Sequence, residues 1–197
     1  MAIVYKNCTE DGVFPGYACD PCGETEGGRV RGAVYFHKSL KSALTNANLS
    51  LLTWWDTQIA AGKVKIIPST RGTYDGGTKN TVTGFGDDQE KITGKTYVAV
   101  VNDPRHAGNL AFYQALENNY KDYIFGFRTE KELRVANDVM TGLEVKDPVE
   151  EDANSVVLWQ ANVTWIQKIP NTMVSVHILT DEVKELFSNC IDEEEAD

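Results

Sequence analysis

Hydrophobic and polar positions alternate most strictly between residues 157 and 165. Val157, Trp159, Ala161, Val163 and Trp165 interleave with Leu158, Gln160, Asn162 and Thr164. A two-residue period puts one set on each face of a strand. The segment therefore predicts a central strand with Trp159, Val163 and Trp165 on its dry face. Residues 29–37 (RVRGAVYFH) are rich in β-branched and aromatic side chains and predict a first strand. Residues 64–67 predict a short strand stopped by Pro68. Residues 80–93 and 95–102 predict two long strands punctuated by Gly94, with Gly84 and Gly86 as bulge or bend points. Strands follow at 123–128 and 133–137, and residues 173–179 return as another after a turn at Pro170-Asn171.

The helical period occurs twice. Within residues 48–61, Leu52, Trp55 and Ile59 share one face, with Asn48 placed as N-cap and Gly62 as the glycine that ends the helix. Within residues 109–119, Leu110, Tyr113 and Leu116 form one stripe. Residues 181–188 predict a short terminal helix, 38–46 are ambiguous, and 69–78 (STRGTYDGGT) read as a loop with turn chemistry at Asp75-Gly76-Gly77.

Strands dominate this order, with two or three flanking helices and no βαβ rhythm. The predicted fold is mainly β (α+β), an antiparallel β-sandwich or barrel. The organisation expected is an irregular Cys/Gly-rich segment over residues 1–28, a single β-rich domain over 29–190, and an acidic tail over 191–197. The two long strands exceed the usual five or six residues. With the loop at 69–78 they predict an arm that reaches a neighbouring subunit, which would cover its unpaired edges.

Composition narrows the function. The 197 residues are 42% hydrophobic, with four Trp, eight Tyr and seven Phe, which is ample for a packed core. Net charge is -10 and pI about 4.8. Such a surface repels phosphate, so wrapping of nucleic acid is not expected, whereas passage of DNA along an acidic wall is allowed. The start of the chain has no apolar run of secretory type, and no stretch approaches the roughly 18 apolar residues of a membrane helix. A cytosolic site of synthesis is expected. The glycosylation patterns at Asn7, Asn48 and Asn162 then read as chance.

Four cysteines are the main candidates for chemistry. Cys19-Asp20-Pro21-Cys22 is a CxxC followed by Gly23, a turn able to aim two thiolates at one metal. Cys8 would add a third ligand and Cys190 a fourth if the termini meet, which gives a closed structural zinc site. Reduced cysteines in an ordinary fold, or disulfides, are the alternatives. His37, His106 and His177 have no helical HxxxH or HExxH partner. GxSxG and phosphate-loop patterns do not occur, and Gln89 stands where Gly84-Phe85-Gly86 would need a further glycine. The acidic runs Asp87-Asp88, Glu150-Glu151-Asp152 and Glu193 to Glu195 read as solvated rather than catalytic, since adjacent acids on a strand or loop point apart. Trp54-Trp55 and the pair Trp159/Trp165 read as core or subunit contact before ligand platform. No catalytic residue and no enzymatic activity are expected.

Several stretches in sequence order carry a resemblance. Cys19-Asp-Pro-Cys22 runs into Glu26-Gly-Gly-Arg29-Val-Arg31. Thr83-Gly84-Phe85-Gly86-Asp-Asp-Gln89-Glu90 leads to Ile92-Thr93-Gly94. Asn109-Leu-Ala-Phe112-Tyr113-Gln-Ala-Leu116 precedes a strand ending in Phe127-Arg128-Thr129, and Asp152-Ala-Asn154-Ser155 precedes Trp159-Gln-Ala-Asn-Val163-Thr-Trp165. Together, over residues 19–166, they resemble virion structural proteins of tailed bacteriophages, especially those infecting Bacteroidota, the crAss-like group among them. The resemblance implies a tail-tube or tail-ring subunit, a β-barrel or sandwich with a flanking helix that stacks as rings around a DNA channel. It implies a homo-oligomer in contact with other virion proteins, with DNA passing unbound through an acidic bore, and with no membrane or small-molecule partner. The expected location is the virion, assembled in the host bacterial cytoplasm. Capsid decoration, head–tail connection and a zinc-stabilised adaptor module are the other readings.

Overall fold

The computed structural model describes residues 29–83, 90–105, 108–148, 157–168 and 175–188. Their strands form two antiparallel sheets. The first contains β1 (Gly32–His37), β2 (Val64–Ile67), β6 (Tyr123–Arg128), β7 (Glu132–Val135) and β10 (Ser175–Ile178), in the order β10-β7-β6-β1-β2. The second has the order β3-β5-β9-β8. Its members are β3 (Arg71–Tyr74), β5 (Glu90–Asp103), β8 (Gly142–Lys146) and β9 (Trp159–Lys168), and β4 (Thr78–Thr83) adds to β5. The sheets stack face to face and do not close, so of the two expected architectures the sandwich holds and the barrel does not.

β9 lies between β5 and β8, as its alternation requires. Trp159, Ala161, Val163 and Trp165 are buried, while Gln160, Asn162 and Thr164 are only half-buried. Val157 and Leu158 fall before the strand and Val157 is 45% exposed, so the expected strand began two positions too early.

Rings fasten one sheet to the other. The Trp165 indole stacks 5.4 Å from Tyr97 and 5.9 Å from Tyr74 within its own sheet, and meets Phe125 of the opposite sheet at 5.8 Å. Tyr74 reaches Phe127 across the same gap at 5.0 Å.

β1 is buried on both faces. Tyr35 turns toward the second sheet, beside Phe125 at 5.5 Å, while Phe36 turns outward to Trp55 at 5.5 Å. A helical layer covers that outer face: a 3-10 helix (Lys38–Ala43), α1 (Asn46–Leu49), α2 (Leu52–Ala60) and α4 (Asp181–Glu185). The sequence predicted one helix over residues 48–61 capped by Asn48. Two helices form instead, because Leu51 is extended between them, and the Thr45 hydroxyl caps the first. Gly62 does follow α2 with φ 69°. α3 (Leu110–Asn118) buries Tyr113 and Leu116, but Leu110 is 52% exposed and leaves the predicted stripe.

Two further expectations are corrected. The supposed loop at 69–78 contains β3, and Tyr74 belongs to the aromatic core. Gly94 does not separate two strands, since β5 runs through it from Glu90 to Asp103. A Cβ there would sit 2.5 Å from the Gln167 carbonyl oxygen, so this glycine marks a close approach of two strands. The Gly84 and Gly86 bend points lie outside the described residues.

Trp165→Ala is expected to cost about 3–5 kcal/mol in urea unfolding, because it removes a fully buried ring. Ile166→Ala, on the open face, should cost far less. Stability should also fall in alkali. Burial holds the Tyr35, Tyr97 and Tyr113 hydroxyls above their ordinary value, and Tyr74 is pushed up to about 12. An unfolded tyrosine ionises near 10.0, so above that pH the folded state binds more protons than the unfolded one. The contribution is complete below pH 10 and is lost as pH rises toward 12. Urea midpoints measured across that window should drop together with the appearance of tyrosinate absorbance.

Candidate assembly surface

The longest strand sets the geometry of the most exposed feature. β3 and β4 lie end to end along the same edge of β5: Tyr74 is opposite Ala99, and Thr78 is opposite Thr96. Asp75 makes this line-up possible. Its carboxylate accepts from Gly77 N at 2.9 Å and from Val98 N at 3.0 Å. Gly76 and Gly77 have φ of 73° and 88°, and a Cβ on Gly77 would enter the Tyr97 ring at 2.4 Å. The chain thus steps over Tyr97 and resumes pairing. Farther on, Asn80 and Thr81 oppose Gly94 and Ile92, so Thr93 is an extra residue in the ladder. A bulge of this kind bends and twists a ribbon.

Among the described residues, β9 pairs with β5 from Gly94, opposite Lys168, to Asp103, opposite Trp159. Residues 81–83 and 90–92 pair with each other and, among the described residues, with no third strand. The ribbon carries Val82, 49% exposed, and Ile92, 39% exposed. Val82 is opposite Lys91 and Ile92 opposite Thr81, so one apolar side chain stands on each face. Among the described residues both long edges are unpaired, and their backbone groups could be taken up by another strand. The edge of β8 is treated differently: the Glu117 carboxylate of α3 accepts from Val145 N at 3.1 Å and blocks it. On the first sheet, the edge strand β10 exposes Val176 and Ile178 on one face.

A buried polar cluster sits at the other end of β5. Asp103 accepts from the Tyr113 hydroxyl at 2.8 Å, from Arg105 N at 3.1 Å and from Arg105 Nε at 3.0 Å. The Arg105 guanidinium also donates to the Pro68 carbonyl. Burial, and then the adjacent carboxylate, push the Tyr113 hydroxyl well above its ordinary value. Every partner of the Asp103 carboxylate in this cluster is a donor, which suits it to tying β5, α3 and Pro68 together rather than to proton abstraction. The signal in the sequence was Asp103-Pro104, which reads as a turn.

The sequence candidates fall as follows. Cys8, Cys19, Cys22 and Cys190 lie outside the described residues, as do His106 and the acidic runs at 87–88, 150–152 and 193–195. Among the described residues no group of three or more His, Cys, Asp or Glu could hold a metal ion. His37 Nδ1 accepts from Ser39 N and starts the 3-10 helix. His177 is buried beside Asn46, and burial pulls its imidazole below the ordinary value. Trp55, Trp159 and Trp165 are core residues, not a ligand platform. No helix among the described residues is long and apolar enough to cross a membrane.

No family model matches the chain, and no curated protein matches it in sequence. Among solved structures, a chain from the tail of an empty gene transfer agent particle, refined helically with C6 symmetry, is 9% identical with a TM-score of 0.32. That match covers 56% of this chain and 89% of that one. A chain from the virion of the native gene transfer agent particle is 8% identical with a TM-score of 0.29, covering 57% of this chain and 83% of that one. Superpositions this loose do not establish a shared fold.

Tyr113→Phe should destabilise the protein by about 1–3 kcal/mol, because it leaves a buried carboxylate oxygen without its hydroxyl donor. Urea denaturation at neutral pH reads the loss. An unchanged midpoint would mean that the cluster does not brace β5 against α3.

Proposed function

We propose that the chain is a self-assembling structural subunit of a tailed-bacteriophage virion, forming rings or a stacked tube around the DNA channel of the tail, and that it is not an enzyme. The observation that carries this reading is the two-stranded ribbon of residues 81–83 and 90–92. An isolated two-stranded ribbon is marginal in water, and its open edges invite pairing. Addition of a strand from a neighbouring copy supplies backbone bonds and shelters Val82 and Ile92. A head-to-tail contact of this type closes into a ring when its rotation divides the circle. The sequence resemblance over residues 19–166 points the same way, and the net charge of -10 suits a bore past which DNA slides.

The arm of this reading is narrower than the sequence suggested. Residues 69–78 contain Tyr74 of the core, so their removal would damage the sandwich itself. The informative change is Val82→Lys with Ile92→Lys. Both side chains are exposed, so the purified variant should melt within about 0.5 kcal/mol of wild type. Rings or tubes seen for wild type by negative-stain imaging should be lost. Assembly that persists in the double variant would contradict the role given to the ribbon.

A structural zinc site of Cys8, Cys19, Cys22 and Cys190 belongs to the same proposal. Arg29 and Ser188, where the main described body begins and ends, line one cleft. These are the described residues nearest in sequence to Cys22 and Cys190. Elemental analysis of gently purified protein should find about one zinc per chain. Protein free of zinc and iron would refute the site.

A further inference from the structure

Four of the six arginines of this acidic chain meet at one place. Arg29, Arg31, Arg71 and Arg128 line a cleft of about 300 Å³ together with Thr70 and Ser188. Four segments distant in sequence build it. Arg31 and Arg128 are brought together by the β1–β6 pairing, where Arg31 N donates to the Arg128 carbonyl at 2.8 Å. The 69–71 segment is pinned to the end of α4, with Ser69 N donating to the Phe187 carbonyl at 2.9 Å and Ser69 Oγ to the Ser188 carbonyl at 2.7 Å. Ser69 holds φ at 54°, a left-handed conformation that a serine adopts at a cost and that the two bonds to α4 enforce.

The cleft has more donors than its own residues satisfy. Arg128 is 8% exposed; its Nη1 donates to the Lys184 carbonyl at 3.1 Å and to Ser188 Oγ at 3.3 Å, but its buried Nε has no partner among the described residues. The buried Nε of Arg31 and the Thr70 hydroxyl, in a residue 3% exposed, are likewise unpartnered. Arg31 pairs with Glu130 at 3.2 Å, both side chains being partly exposed. Burial, and then the neighbouring Arg31, pull the Arg128 guanidinium below its ordinary value, so positive charge is held here against solvation and repulsion. A planar carboxylate, which accepts two donors of a guanidinium at once, relieves both.

We propose that this cleft is a binding site for the carboxylates of an acidic peptide segment. The chain carries such a segment, residues 191–197 (IDEEEAD), three residues beyond the Ser188 that lines the cleft. Nucleic acid fits less well: a phosphate backbone needs a basic track, and these arginines form a single small cleft on a chain of net charge -10. The site is independent of the ribbon. A protein that never assembled would still hold it, and an assembled one could lack it.

The test uses full-length protein, kept dilute and at low salt, titrated with fluorescein-labelled IDEEEAD peptide and with its neutral counterpart INQQQAN. Two backgrounds are compared, wild type and Glu193→Gln/Glu194→Gln/Glu195→Gln. The acidic peptide should bind at least about tenfold more tightly than the neutral one, and Arg71→Ala or Arg29→Ala should weaken it about tenfold. Arg29 and Arg71 are exposed, so neither change threatens the fold. Binding to wild type assigns the cleft to the segment of a neighbouring molecule, and binding only to the triple variant assigns it to the chain's own tail. Binding to neither, equal binding of both peptides, indifference to both arginine changes, or displacement by duplex DNA more readily than by acidic peptide would each overturn the proposal.

Discussion

Trp165 joins the two sheets, and the register of β9 against β5 depends on its place. Its ring is held between Tyr97 and Tyr74 on one side and meets Phe125 of the other sheet. Aromatic contacts of this kind combine large buried area with a preferred geometry, so they fix register as well as supply stability. Register matters because a one-residue slip of β9 would send all four inward residues outward. With β9 fixed, β5 is fixed opposite it from Gly94 to Asp103. Among the described residues, 90–92 then pair only with β4, at the end of β5 away from Asp103.

Legibility in the sequence followed the strength of the period. β9 alternates over nine positions and was readable, as were β1, β6 and the buried face of α2, where Trp55 and its neighbours repeat at helical spacing. β8 was missed because only Leu143 and Val145 are apolar in Gly142–Lys146, and Glu144 and Lys146 read as a solvated stretch. β3 was hidden by composition. Glycine and threonine around Arg71–Tyr74 look like turn chemistry, yet a strand against β5 needs only backbone and one ring. Gly94 misled for a related reason, since a glycine demanded by close strand packing is indistinguishable in sequence from one that ends a strand. The arginine cleft had no local signal at all. Its residues come from positions 29, 31, 71 and 128, and only the fold adds them together.

The same separation runs through the chemistry. One polar cluster braces the sandwich, Asp103 with Tyr113 and Arg105. The accessible features include backbone on the ribbon edges, apolar side chains such as Val82, Ile92 and Ile178, and positive charge gathered in one cleft on an acidic chain. Edges and apolar groups favour strand addition, and the cleft favours an acidic segment. On the proposed reading both kinds of surface would recognise protein, as a subunit that works by contact requires.

The central claim is that the ribbon is completed by a neighbour, and amide hydrogen exchange reads it most directly. Backbone amides of residues 81–83 and 90–92 should exchange quickly in dilute monomer while those of β9 stay protected, and should become protected in the assembled form. Protection of the ribbon already in the monomer, or its continued rapid exchange within the assembly, would contradict the account.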